Sequence, residues 1–381
     1  MKVGIIGAGY AGVSAALEAA KSGAEVHLFS EESVLPYYRP RIIAAAFGQI
    51  RSEEVYMHPA GWYKDNNIEL NLNSKVEAIE QEGKSFSVIS NGIKFLFDSI
   101  VVCTGAKPII PGFAANHLND SRITPLWTLD NAMEISSKIE NVKTIAVIGG
   151  GLIGLETALR AAEKGLRVTV IEKAHRLLER NFSLKGSETI KRLLHIKEIN
   201  VITEATVKSI LPKPDYLEII TGNETFKAEL CILSVGCVSN DQFKISPDIE
   251  KEYGFFVDGF LESSVPAFFA AGDCANLKNT SRQFSVLRAL SQGKTAGINA
   301  ANLNKKTKFE PGHISLDLKY KDFEIHSIGH VHHENLKNKT TSILEEENTS
   351  YRAILNDGEI VYGIEMVGSA REFNHYRKLL K

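Results

Sequence analysis

The sequence predicts an α/β fold: two nested Rossmann-like dinucleotide-binding domains of the three-layer ββα type, each carrying a β-meander, and a small C-terminal α+β domain. Three observations carry this expectation. At the start of the chain an apolar run (residues 3–6), the turn Gly7-Ala8-Gly9-Tyr10-Ala11-Gly12 and a helical pattern (13–21) follow one another. The same order returns at 143–164, around Gly149-Gly150-Gly151-Leu152-Ile153-Gly154. Beyond about residue 305 the pattern changes to short alternating runs that read as antiparallel strands.

Each G-x-G-x-x-G has a physical reason at every glycine. The first permits the tight turn, the second lets a pyrophosphate approach the backbone, and the third lets helix and strand pack closely. The helices expected from Val13 and from Leu155 then present free N–H groups and a partial positive charge to the phosphates. A strand at 25–29 then ends at Ser30-Glu31-Glu32, placing an acid about 20 residues past Gly9, where a carboxylate holds a ribose. Next comes Leu35-Pro36-Tyr37-Tyr38-Arg39-Pro40-Arg41-Ile42. Its residues suit either a surface turn with a solvated arginine pair or a flat ring and an anion met by guanidinium groups.

Residues 51–68 read as a helix-rich connection. Runs at 76–79, 86–90 and 93–97 form a meander with Asn91-Gly92 as a hairpin turn. A buried strand at 99–103 ends at Thr104-Gly105-Ala106, where a glycine allows close backbone approach to a ligand. The second unit repeats this plan: a strand to Ile148, the glycine turn, a helix, a strand ending at Glu172, a meander over 207–227, and a strand running into Gly236. The repeat is about 130–140 residues long, so it is not a solenoid. Two complete units imply two dinucleotides. Glu172 accepts hydrogen bonds from ribose hydroxyls and repels a 2′-phosphate, so NADH is expected over NADPH, with Lys173, His175 and Arg176 the residues that would admit a phosphate. The chain returns through an apolar run to Gly272-Asp273, an acid that binds a hydroxyl of a ribityl chain, takes a capping or turn role ahead of the helix expected at 287–302, or does both.

The expected domains are 1–109 with 241–305 for the first nucleotide, 110–240 for the second, and 306–381. The 381 residues are 44% hydrophobic and 24% charged with net charge −2, which excludes nucleic acid as the main partner. No run approaches the ~18 apolar residues of a membrane helix. The four cysteines, Cys103, Cys231, Cys237 and Cys274, show neither a CxxC pair nor zinc spacing and read as buried thiols in a reducing cytoplasm. His326, His330, His332 and His333 match no ligand spacing, so no metal is expected.

Taken as a set, both fingerprints, Thr104-Gly105, Glu172, Val235-Gly236 and Ala271-Gly272-Asp273 resemble the FAD- and NAD(P)-dependent flavoprotein reductases of the pyridine nucleotide-disulfide oxidoreductase superfamily. The stretch from Pro36 to Arg41 is similar to that of NADH:rubredoxin reductases and nitrite-reductase-type flavoproteins. The resemblance implies FAD in the first unit, held by Gly7, Gly9, Tyr10, Ala11, Gly12, Glu31, Glu32, Arg39, Pro40, Val76 (through its backbone), Thr104, Gly105, Gly272 and Asp273. It implies NADH in the second, held by Gly149, Gly151, Leu152, Ile153, Gly154, Glu172 and Gly236, and sets Arg39 and Arg41 beside the flavin as the candidate catalytic residues. The chain departs from its disulfide-reducing relatives in having no cysteine before Cys103. Without a thiol relay, electrons are expected to pass from the flavin to a small acidic redox protein of the rubredoxin or ferredoxin kind, with Lys319, Lys321, Arg371, Arg377 and Lys378 as an attracting patch. The alternatives are an NADH oxidase that reduces oxygen and a non-catalytic NADH-sensing flavoprotein.

Overall fold

The computed structural model describes residues 1–381 except 223, 242, 279–283, 314, 330–339, 370–372 and 381. By contacts the chain forms two compact units: Met1–Arg39, Ser52–Lys107 and Cys237–Gly312 make the first, and Pro40–Arg51, Pro108–Gly236 and His313–Lys381 the second.

In the first unit a parallel sheet of five strands runs in the order Phe268–Ala270, Ser99–Val102, Lys2–Ile6, Glu25–Phe29, Ile68–Asn71. The central strands read as unbroken apolar runs because both faces are covered. Val3, Ile5, Ile100, Val101 and Val102 are completely buried. One face carries the helix Tyr10–Lys21 and, beside it, Val286–Ala301. These two helices approach at a seam of small residues: a Cβ on Gly293 would lie 2.2 Å from the Ala11 carbonyl oxygen, and one on Gly297 would lie 2.2 Å from that of Ala15. The meander Val76–Glu82, Ser85–Ser90 and Ile93–Phe97 forms a separate sheet. Its Phe95 and Phe97 pack edge-on against Phe29.

The second unit repeats the plan. Its parallel sheet runs Asn200–Ile202, Arg167–Ile171, Thr144–Ile148, Leu230–Leu233, Ile123–Pro125, with the meander Val207–Pro212, Leu217–Thr221 and Thr225–Ala228. Even the strand entry is duplicated. Asp98 accepts the Lys2 N–H at 2.8 Å, and Glu229 accepts those of Lys143 and Thr144 at 2.7 and 2.8 Å. The C-terminal residues form an antiparallel sheet, Ser315–Lys319, Glu324–Gly329, Val361–Gly368, Tyr351–Asn356, Thr340–Glu346, which packs on the helix Leu184–Ile196. Buried Glu365 fixes this contact by accepting the Ser183 N–H at 2.8 Å.

Several elements differ from the sequence reading. Both nucleotide helices begin three residues earlier than expected, at Tyr10 and Leu152, because Gly9 and Gly151 serve as their N-caps with extended backbone. The stretch after Arg39 is not a simple turn: Pro40 N-caps the helix Arg41–Ala46, which packs against Leu129–Ile139. The terminal helix that the sequence suggests at 372–380 is described over Phe373–Arg377.

Candidate functional site

The first glycine turn is shaped by contacts that a side chain would destroy. Gly7 has φ +102°, and a Cβ there would meet the Cys103 carbonyl oxygen at 2.4 Å. One on Gly12 would lie 1.8 Å from the Gly7 oxygen. Gly9 between them faces open space, with nothing within 4 Å of its absent Cβ, and no side chain caps the helix that starts at Tyr10 and Ala11. The second turn is built alike. Gly149 (φ +114°) abuts the Ser234 oxygen at 2.1 Å, Gly154 abuts the Gly149 oxygen at 2.1 Å, and Gly151 is open ahead of Leu152 and Ile153. Gly105 and Gly236, which follow the closing strands, both adopt positive φ, +68° and +104°. Thr104 donates to the Asn240 carbonyl at 2.5 Å and so ties that strand end down.

The acids of the two units behave differently. Glu31 is exposed, whereas Glu32 accepts from the Tyr37 hydroxyl at 2.7 Å and pairs with Arg39 at 3.5 Å. Arg39 also lies 5.6 Å from the Tyr37 ring centre, and the rings of Tyr10 and Tyr38 stand 5.9 Å apart. Glu172 folds over its own glycine turn, accepting the N–H groups of Gly150 at 2.5 Å and Ala174 at 2.7 Å. That fixes the carboxylate at the mouth of the second turn. Beyond it, Arg176 and Glu179 hold His175 at 2.6 and 3.1 Å. Pro40 and Arg41 fall in the second unit, with Arg41 exposed on the first turn of its short helix. Val76 is buried and opens the first strand of the meander.

Gly272 (φ +80°) and Asp273 form a short 3-10 turn after the strand Phe268–Ala270. The capping alternative for Asp273 is overturned: the N-cap of Val286–Ala301 is Ser285. The turn is held instead by Ser239, whose hydroxyl donates to the Asp273 carbonyl at 2.6 Å, and by Gln292, whose Oε1 accepts the Gly272 N–H at 2.9 Å. Gln292 is 1% exposed, and its Nε2 has no partner.

Two features carried no clear signal in the sequence. In the sequence Gln292 belongs, with Ala289, Gly293 and Ala296, to the small or polar residues that suit a helix whose N-terminus points at a flavin ring, but nothing there distinguishes the two ends of its amide. Glu156 lies in the second nucleotide helix, and burial holds its carboxyl above the ordinary range although Arg160 lies 3.7 Å away. Three of the four thiols are buried. Burial pushes the Cys103 thiol well up and the Cys274 thiol up, and Cys231 is pushed to about 12. His326 is taken by two carboxylates, Asp317 at 2.6 Å and Glu324 at 2.7 Å, while His330, His332 and His333 lie outside the described residues. Among the described residues no group of three acids, histidines or cysteines is placed to hold a metal. Nor is any helix long and apolar enough to cross a membrane.

The two glycine turns fit dinucleotides by their own geometry: in each, the outer glycines are locked against backbone while the middle one leaves room in front of an uncapped helix. The profile of the pyridine nucleotide-disulphide oxidoreductase family matches residues 1–293. The chain belongs to this family. As a member of it, the chain is an oxidoreductase whose cofactors are FAD and NAD(H). It is 28% identical over 284 residues to a rubredoxin-NAD(+) reductase of Ectopseudomonas oleovorans, covering 73% of each chain. It is 30% identical over 282 residues to the ferredoxin–NAD(+) reductase component of the p-cumate 2,3-dioxygenase system of Pseudomonas putida, covering 73% of this chain and 68% of that one. Its fold matches the reductase of a covalent putidaredoxin reductase–putidaredoxin complex with a TM-score of 0.88 at 23% identity, over 99% of this chain and 92% of the other.

Proposed function

We propose that this family member passes electrons from NADH through FAD to a small redox-carrier protein of the rubredoxin or ferredoxin kind. One observation carries the proposal: two dinucleotide turns of the same build stand in a chain whose cysteines beside the first turn, Cys103 and Cys274, are buried and held protonated. The first unit is assigned to FAD. Gly7, Gly9, Tyr10, Ala11 and Gly12 receive the pyrophosphate, Glu31 and Glu32 the ribose, Val76 the adenine end, and Thr104, Gly105, Gly272 and Asp273 the ribityl side. Arg39, aligned by Glu32, supplies positive charge. The second unit is assigned to NADH, with Gly149, Gly151, Leu152, Ile153, Gly154 and Gly236 around the pyrophosphate and Glu172 on the ribose. Because Glu172 is pinned by two backbone N–H groups, it stays where a 2′-phosphate would have to sit, which favours NADH over NADPH. FAD bound by the first unit would supply the hydride-accepting and electron-releasing chemistry, singly or in pairs, while the residues of the two glycine turns would hold and orient the two nucleotides.

The relatives named for rubredoxin and ferredoxin support a protein acceptor. The basic residues expected to attract an acidic one are only partly available: Lys319 pairs with Glu324 and Lys321 with Glu163. Arg377 and Lys378 are exposed, and Arg371 lies outside the described residues. We place the protein in a reducing cytoplasm, which suits free thiols. Steady-state NADH consumption with and without a rubredoxin or a [2Fe–2S] ferredoxin tests the acceptor. Acceleration by a carrier at saturating oxygen supports the proposal. A rate set by oxygen alone makes the protein an oxidase.

A further inference from the structure

Gln292 has one half of its amide in use and the other half without a partner. It is 1% exposed, on the helix Val286–Ala301. The Gly272 N–H donates to its Oε1 at 2.9 Å, which fixes which end of the amide is oxygen. Nε2 therefore points elsewhere, with two hydrogens to give and nothing to receive them. A buried donor left unmade costs about 1–3 kcal/mol, so a native fold that keeps one calls for a reason. Its surroundings supply one. The Cβ position of Gly272 is 3.0 Å from Ala11 Cβ, and Gly293, next in the chain, is built directly against the Ala11 carbonyl. Gln292 thus stands between the Gly272-Asp273 turn and the first turn of the nucleotide helix, the two elements assigned to FAD.

We propose that Gln292 is a positioning residue of the FAD site: Oε1 holds the Gly272-Asp273 turn, and Nε2 donates a hydrogen bond to an acceptor oxygen of the pyrophosphate–ribityl chain. The proposal rests on the assignment of FAD to the first unit. The chemistry is complementary, since that part of FAD presents phosphate oxygens and hydroxyls and the protein's amide end presents only donors. It also explains why glutamine rather than leucine or glutamate occupies the position. Leucine would strand the Gly272 N–H, and an ionised glutamate would set a second negative charge toward the phosphates.

The test follows the amide itself. In protein labelled with ¹⁵N at glutamine side chains, the Gln292 amide signals should shift and their hydrogen exchange should slow when the apoprotein takes up FAD. Signals that stay unchanged on FAD uptake overturn the proposal, whatever the variants do. The Gln292→Glu variant, assayed at about pH 9 to ionise the carboxyl, keeps an acceptor for Gly272 and loses the donor. Its apoprotein should melt below wild type, because the ionised carboxylate is buried, and FAD should bind at least tenfold more weakly. The Gln292→Leu apoprotein should melt lower as well. FAD binding by Q292E equal to wild type would show that Nε2 gives nothing to the cofactor. A wild-type apoprotein that takes up no FAD would end the FAD assignment itself, an outcome distinct from equal binding by wild type and Q292E.

Discussion

Gly9 and Gly12 stand three residues apart and do opposite things. Gly12 has the Gly7 oxygen 1.8 Å from where a Cβ would be, so Gly12→Ala should distort the turn and lower the apoprotein's stability by about 1–3 kcal/mol or more. Gly9 faces open space with ordinary backbone angles, so Gly9→Ala should leave apoprotein melting unchanged and weaken FAD binding at least tenfold, about 1.4 kcal/mol. Melting curves and FAD titrations of the two apoproteins check this, and a stable G9A apoprotein with full FAD affinity would remove Gly9 from the site. A second residue-scale expectation concerns acid. Burial pushes the Asp317 carboxyl up, but hydrogen bonds to His326 and Ser315 outweigh it and hold it below the usual range. A carboxyl whose folded pKa lies below its unfolded value contributes stability above the unfolded value, and the contribution is lost as pH falls through the folded one. Thermal unfolding from neutral pH down to about pH 3 should therefore decline less steeply in Asp317→Asn than in wild type. Equal slopes would mean that the pair contributes nothing.

At the scale of elements, the seam between Tyr10–Lys21 and Val286–Ala301 depends on Gly293 and Gly297. A methyl on either one would meet a backbone oxygen at 2.2 Å, and backbone cannot turn aside as a side chain can. Gly297→Ala should cost about 1–3 kcal/mol, read as a lowered unfolding midpoint; a midpoint equal to wild type would mean that the helices part freely. The central strands of both parallel sheets were legible as continuous apolar runs next to glycine, whereas the short edge strands Ile68–Asn71, Asn200–Ile202 and Ile123–Pro125 were not. Helix starts were misplaced because Gly9 and Gly151 act as N-caps, a task for which sequence reading looks to serine, threonine, asparagine or aspartate. The helix Arg41–Ala46 was missed because Pro40 looked like a turn residue, although proline also serves at a helix start. Leu129–Ile139 was also missed, although Thr128 and Asn131 form a reciprocal cap at its start, with asparagine in place of the usual glutamate or glutamine.

The glycine turns of the candidate site were legible in the sequence because their outer glycines answer a steric demand that no other residue meets and the middle ones leave room for a ligand. The partners of the acids were not. Nothing in the order of residues says that Glu172 folds back on Gly150, that Glu32 rather than Glu31 takes Tyr37, or that Gln292 keeps a spare donor, since all three depend on chain segments brought together only by folding. At the scale of the whole protein, the buried thiols predict that catalysis needs no cysteine. Alkylation of the native protein should reach Cys237, the only partly exposed thiol, and NADH-dependent reduction of a carrier should survive it. Loss of activity on alkylating the native enzyme would point to a thiol relay after all. The central claim is that one chain holds FAD in its first unit and binds NADH in its second. An anaerobic NADH titration of the purified protein, followed by flavin absorbance, tests it most directly. The account predicts one FAD per chain, bleached by one equivalent of NADH. A protein without flavin, or one whose flavin stays oxidised in excess NADH, would contradict it.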